Sequence, residues 1–263
     1  MIVKRVSGTL LSIGVSLALV LGAWIAFIEY FSINPMVIRS PRDVWTYLFT
    51  AEEAGAHRSV VWDGLRVTLA DAGAGMVAGL VAAAVVAMLF VLSRTVEQAF
   101  LPVAMIVRSV PLIAMTPVLT LVFGRELLGT TVIVGIVVFF PALVTLVFGL
   151  RSASPQAADL VRAYGGSTWT TLRKVMIPSA LPSFFTAARI SAPGAIIGAL
   201  LAEWLATGKG IGYRMLQDVS TFESDDLWSS VVAITLASLV IYSAIGVVEA
   251  FVLARYGPAP ARR

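Results

Sequence analysis

The sequence predicts an all-α fold, a polytopic membrane bundle of about six transmembrane helices forming a single domain over residues 1–263. Three observations carry that prediction. Of the 263 residues, 59% are hydrophobic and 13% charged, against roughly 45–50% and about 25% in an average soluble domain. A soluble fold of this length cannot hide so much apolar surface, since even a domain of about 300 residues buries only about 75% of what its unfolded chain exposes. The apolar residues also gather into six runs, each near the ~20 residues that cross a bilayer as a helix. Six such spans take about 130 residues, leaving room for loops and ends but for no soluble domain of ordinary size.

The first run, residues 10–31, follows Lys4 and Arg5 and carries Glu29 as its only charge. It exceeds the ~7–15 residue core of a signal peptide, so it reads as a span that is retained. Residues 72–92 contain no charge and end at Ser93 and Arg94. Residues 99–123 are interrupted by Pro102, Arg108, Pro111 and Pro117, while residues 128–150 are uncharged and contain Pro141. Residues 183–206 include Arg189, Pro193 and Glu203; residues 227–248 are again clean and stop before Glu249. With the N-terminus inside, ten Lys and Arg side chains fall on the cytoplasmic side, among them Lys4, Arg5, Arg94, Arg151, Arg262 and Arg263, and six on the outer side. That excess follows the positive-inside rule and puts both termini in the cytoplasm.

Two loops are long enough to fold. The outer one, residues 32–63, contains Ser40-Pro41, an N-cap residue followed by proline in the first helical turn. Val44, Tyr47 and Leu48 then recur at helical spacing, predicting a short interfacial helix at about 41–50 on the outer surface. The inner loop, residues 151–181, has start signals at Ser154-Pro155 and Ser167, and stop signals at Gly165-Gly166 and Pro178. It predicts two short cytoplasmic helices meeting at a glycine elbow. Neither is long enough to be stable alone in water, so the pair implies a cytoplasmic partner.

Several chemistries are excluded. With no Cys and a single His, His57, there is no disulfide scaffold, thiol nucleophile or histidine-rich metal site. No HExxH helix or GxSxG elbow occurs, so neither catalytic residues nor metal ligands are assigned. Gly208-Lys209-Gly210-Ile211-Gly212 has the look of a phosphate loop, but Glu203 and Gly210 stand where that motif needs glycine and Ser or Thr. ATP is therefore expected to bind elsewhere. The net charge of +4 fits basic loops beside anionic membrane lipid, not nucleic acid.

The inner loop also carries a family signature. Asp159 stands six residues before Gly165, and nine further residues lead to Val175, Met176, Ile177 and Pro178. This spacing resembles the EAA loop of bacterial ABC importer permeases, with Asp-Leu-Val replacing the usual first triplet and Pro182 matching a second proline. Ile38 to Val44, Arg108 to Pro111, Phe148 to Ser152 and the stretch from Ala202 to Gly212 extend the resemblance to the nitrate, sulfonate, taurine and bicarbonate branch. The resemblance implies a type I ABC importer permease in the bacterial inner membrane, paired with a second permease copy. It further implies two cytoplasmic ATP-binding subunits, which hold the ATP and magnesium, and an external substrate-binding protein. Asp159, Gly165, Val175, Ile177 and Pro178 would then belong to a coupling loop that docks on the ATPase. The resemblance leaves nitrate, sulfonates, bicarbonate and pyrimidine-like thiamine precursors open as cargo, with a small anionic solute like nitrate, a sulfonate or taurine the expectation.

Charges inside spans mark a pathway or a buried pair. Arg108 and Glu203 are the candidates for a pathway; the alternatives are that Arg108 snorkels or pairs with Asp71 or Glu203, and that Glu203 merely marks the end of the fifth span. Arg66 and Arg189 read as interfacial. Gly75/Gly79 and Gly194/Gly198 form two GxxxG pairs, suited to close helix packing within the chain or at a dimer seam. The competing reading is an ion-coupled secondary transporter or channel with Arg108 and Glu203 as coupling charges; a membrane enzyme would need a catalytic constellation that the sequence lacks.

Overall fold

The structure is a computed structural model. It describes the backbone of residues 2–34 and 36–256 and side chains from residue 15 onward; Arg262 and Arg263, and the side chains of Lys4 and Arg5, lie outside the described residues. Every regular element among the described residues is helical. In order they are α1 (Ile2–Tyr30), α2 (Pro41–Trp45), α3 (Ala54–Leu92), α4 (Arg94–Ser109), α5 (Leu112–Phe123), α6 (Leu127–Arg151), α7 (Pro155–Ala163), α8 (Thr168–Thr171), α9 (Ile177–Ala202), α10 (Gly210–Thr221) and α11 (Ser224–Tyr256). Wide π turns extend α2 over Thr46–Thr50, join α8 to α9 over Leu172–Met176, and close α9 over Glu203–Thr207.

Among the described residues, four helical segments are long and apolar enough to cross a membrane: α3, α6, the continuous stretch Thr168–Thr207, and α11. The pair α4–α5 makes a fifth, bent by 103° at its break. With the apolar Val15–Tyr30 part of α1, the helices agree with a bundle of about six spans. The bend has a local cause. A proline disfavours helical geometry in the residue before it, and Val110, preceding Pro111, is extended at φ −78° and ψ 125°. Pro141 and Pro182 leave their helices intact, and Thr145 and Thr186 one turn later donate hydroxyl hydrogen bonds to the Pro141 and Pro182 carbonyls at 2.8 and 2.9 Å.

The chain divides into two compact units, Met1–Asp63 with Arg214–Ala233, and Gly64–Tyr213 with Ile234–Arg263. In the first, Ser40 caps α2 in a reciprocal capping box with Asp43, which satisfies donors that a helix start leaves free. The predicted apolar face is present, with Val44 buried and Tyr47 and Leu48 half-buried. His57 stacks on Tyr47 with ring centroids 3.8 Å apart. Arg39 pairs with Asp225 at 2.8 Å, and the Trp228 indole N–H donates to the Val37 carbonyl at 2.9 Å.

Asp218 is buried in this unit, with no hydrogen bond to Oδ2. Burial, then the neighbouring Asp226 carboxylate, pushes its pKa up from 3.8 to about 6, while Arg214 partly opposes the rise. The folded state therefore holds a proton that the unfolded chain has lost between pH 3.8 and about 6, so stability falls as pH rises across that window. Asp218→Asn is expected to raise the unfolding midpoint at pH 8 by an amount equivalent to about 1–3 kcal/mol, with little change at pH 4. Thermal unfolding in detergent at the two pH values checks this; a loss of stability at pH 8 would contradict it.

The second unit is built on α6. Its residues Ile133, Val134, Val138, Ala142, Leu143 and Leu146 are buried, facing an alanine-rich stripe of α9 that includes Ala188, Ala192, Ala195 and Ala199. Both glycine pairs serve this packing. A Cβ on Gly75 would fall 2.2 Å from Val134, and one on Gly79 would fall 2.8 Å from the Gly135 carbonyl. A Cβ on Gly198 would fall 3.1 Å from the Val134 backbone. These glycines let α3 and α9 close on α6 within one chain, which is the internal alternative to a dimer seam. Arg189, read as interfacial, pairs with Glu249 at 3.1 Å and lies over the Tyr242 ring.

Candidate functional site

The inner loop folds as one short helix followed by a tight turn. Ser154 caps α7 by accepting the Ala157 N–H, and Pro155 occupies its first turn. At the other end Gly165 takes φ +79°; its N–H donates to the Arg162 carbonyl, and the Gly166 N–H donates to the Val161 carbonyl, both at 2.9 Å. This is a Schellman closure, which needs a left-handed residue that glycine adopts at no steric cost. Gly165 has open space around it, whereas a Cβ on Gly166 would fall 2.5 Å from the Val161 side chain. Ser167 then caps α8 by accepting the Thr170 N–H.

The predicted stop at Pro178 is overturned. The helix runs without a break from Thr168 to Thr207, because the chain widens into a π turn just before the proline. The Ile177 N–H bonds to the Leu172 carbonyl five residues back, and this wider register relieves the clash and missing donor that proline imposes on an α-helix. The second cytoplasmic helix is therefore the root of a long membrane helix. Val175 is half-buried in the π turn, while Ile177 and Pro178 lie exposed at the start of α9.

No residue of α7 is buried. Asp159 pairs with Arg162 at 3.3 Å on a solvated face, and Leu160, Tyr164 and Trp169 are 60%, 87% and 57% exposed. An amphipathic helix that leaves its apolar side chains open presents a surface suited to a groove on a partner.

Residues 75–257 match the model of the family described as "binding-protein-dependent transport system inner membrane component". The chain belongs to this family. It is the permease component of an ABC importer and a multi-pass membrane protein. The permease is similar to a probable ABC transporter permease protein of Haemophilus influenzae, 29% identical over 80% of this chain and 83% of that one. It is also similar to a formylaminopyrimidine transport permease protein of Halalkalibacterium halodurans, 28% identical over 74% and 78% of the two chains. A taurine transport system permease protein of Escherichia coli is 26% identical over 82% of this permease and 78% of its own length.

The structure separates the two pathway candidates. Glu203 is 1% exposed at the end of α9. Its Oε1 accepts the Thr68 hydroxyl and its Oε2 the Gly212 N–H, both at 2.7 Å. Thr68 in turn accepts the Ile211 N–H at 2.9 Å. Together Glu203 and Thr68 satisfy two of the N–H groups that the first turn of α10 leaves without intrahelical partners. They also place an acidic group at the positive end of that helix. The glycines supply the room: a Cβ on Gly210, which sits at φ +91°, would fall 2.1 Å from Glu203 Oε1, and one on Gly212 would fall 2.8 Å from Oε2. The glycine run discounted as a phosphate loop thus wraps a carboxylate of its own chain. Thr68 was missed as a site residue because its partner lies 135 positions away; Gly210 and Gly212 follow Glu203 closely, and three alternating glycines shortly after a glutamate were their signal.

Arg108 is exposed beside the break between α4 and α5. The expected partner is not there. Among the described residues it makes no ion pair or hydrogen bond, Glu203 is held by Thr68 and Gly212, and Asp71 is buried with Oδ2 unbonded. Arg108 lines a cavity of about 310 Å³ together with Pro111, Met115, Ile136, Phe140 and Pro141.

Proposed function

We propose that this permease imports a small anion, working as two copies in the bacterial inner membrane with two cytoplasmic ATP-binding subunits and an external substrate-binding protein. Both termini face the cytoplasm, where the arginines of the inner loops lie. The chain itself carries no catalytic activity and binds no cofactor; ATP and magnesium are handled by the partner. The observation that carries this reading is α7. It is an exposed, amphipathic helix joined by a fixed glycine turn to the root of a 40-residue membrane helix, Thr168–Thr207. Asp159, Gly165, Val175, Ile177 and Pro178 form that joint. A groove that grips α7 and closes on ATP would pull α8 and hence α9, turning hydrolysis into a swing of the spans. Glu203 fixes the outer end of α9 and leaves Arg108 as the charge on the route.

The taurine permease among the similar proteins supports a solute bearing a sulfonate or a like anionic group. Purification in mild detergent from cells that express the neighbouring transport genes tests the reading. An ATP-binding subunit is expected to remain bound at one copy per permease, and substrate uptake into vesicles is expected to require internal ATP. Uptake driven by an ion gradient with no ATPase attached would favour the secondary-transporter alternative.

A further inference from the structure

We propose that Arg108 selects cargo by charge: it is an unneutralised cation at mid-depth in the membrane that draws anions into the route at the α4–α5 break and repels cations. The proposal rests on the permease reading and adds to it the step at which charge is sensed within the membrane.

Depth follows from α6. This helix is itself a membrane span from Leu127 to Arg151, so its midpoint is Phe139. The cavity that Arg108 lines is walled on the α6 side by Ile136, Val137, Phe140 and Pro141. All lie within three residues of that midpoint, or roughly 5 Å at about 1.5 Å per residue. The hydrocarbon edge is about 15 Å from the midplane, which is too far for an arginine side chain to snorkel out from this depth.

The charge is also not cancelled internally. Among the described residues no carboxylate pairs with Arg108: Glu97 pairs with Arg151, Glu249 with Arg189, Glu126 with Lys209 and Asp159 with Arg162, Glu203 bonds to Thr68 and Gly212, and the buried Asp71, whose Oδ2 is unbonded, makes no ion pair with it. The cavity lining contains no acidic residue. A lone guanidinium at mid-depth in lipid is expensive, and such residues face a water-filled space. The break supplies one, since α4 and α5 diverge by 103° there. The α5 N-terminus, four residues beyond Arg108, adds a dipole of the same sign. A positive residue in a low-dielectric recess focuses its field and raises the local concentration of anions.

The protein contains no cysteine, so a single thiol reports on this place. Ser109 is exposed next to Arg108, and Ser109→Cys exchanges one atom. The Ser109→Cys permease, with its ATP-binding subunit and in vesicles, is treated with anionic sulfonatoethyl and cationic trimethylammonioethyl methanethiosulfonate. Rates are normalised to those with a free thiol in solution. Both reagents are expected to react, the anionic one faster by about tenfold, the lower end of electrostatic focusing in a cleft. The preference is expected to persist with Arg108→Lys and to vanish with Arg108→Gln. High salt is expected to weaken it in the Ser109→Cys protein itself, a comparison that needs no variant of Arg108. Labelling by neither reagent would place the residue in lipid and overturn the proposal, as would a preference indifferent to Arg108→Gln and to salt. Retention of the ATP-binding subunit in the same preparation reports separately on the permease reading.

Discussion

Gly165→Val is expected to weaken ATPase docking by about tenfold or more, and ATP-driven transport with it, while leaving the membrane bundle folded. Gly165 sits at φ +79° with open space around it, so a side chain there meets no atoms and the whole penalty is conformational. An ordinary L-residue pays about 1–2 kcal/mol for the left-handed region, and a β-branched one is a true outlier there. The nine-residue α7 has no buried face to hold it once its closing turn is lost. A penalty of ~1.4 kcal/mol against the docked geometry lowers ATPase binding about tenfold. The order of retained ATPase should run Gly, Asn, Ala, Val, because asparagine tolerates this region best among the substitutes. Co-purification in mild detergent, with thermal unfolding of the permease in parallel, provides the measurement. Full retention of the ATPase by the valine variant would mean that the turn does not position a docking element.

The largest loss of stability is expected at the Glu203 cluster. Glu203→Leu leaves the Gly212 N–H without its acceptor in a buried place and leaves the Thr68 hydroxyl only the longer bond to the Gly64 carbonyl. An unsatisfied buried group costs about 1–3 kcal/mol, a large fraction of the total stability of many domains. Glu203→Gln should be milder. Its amide oxygen can still accept from Gly212, and Thr68 can turn its hydroxyl to the Gly64 carbonyl, already 3.2 Å away. Gly210→Ala should fail to fold, since its Cβ would occupy the place of Glu203 Oε1 and its backbone lies at φ +91°. Thr68→Val combined with Glu203→Leu should cost more than Glu203→Leu alone, because it also strips the Ile211 N–H of its acceptor, but less than the sum of the single losses, because the two changes share the Thr68–Glu203 bond. Additive losses in detergent melts would show that the two residues act independently.

These two sites differ in how far the sequence revealed them. The coupling loop is local. Ser154, Pro155, Gly165 and Ser167 set their caps and turn through neighbours within a few residues, so spacing alone located α7 and its end. The same local reading failed at Pro178, since a stop signal can be absorbed by a π turn that only the helix's packing on α6 makes worthwhile. The outer cluster is non-local: Thr68 and Glu203 are 135 positions apart, and no pattern in either segment announces the other.

By itself the sequence determined the solvent, the helical class, the approximate places of the spans and the capped short helix with its glycine turn. Apolar run length, capping residues and turn glycines act over one or two helical turns, and their energies are set by adjacent residues. Only the tertiary structure decided what the charges in the third and fifth spans do. In the sequence both Arg108, mid-span, and Glu203, within a turn of the interface, were candidates for the route. Packing brought Thr68 and the Gly210–Gly212 turn onto Glu203, satisfying it inside the protein, and left Arg108 at a broken helix with no ion pair among the described residues. The fate of a buried charge depends on which distant groups arrive within about 3 Å, and that is decided by the fold as a whole.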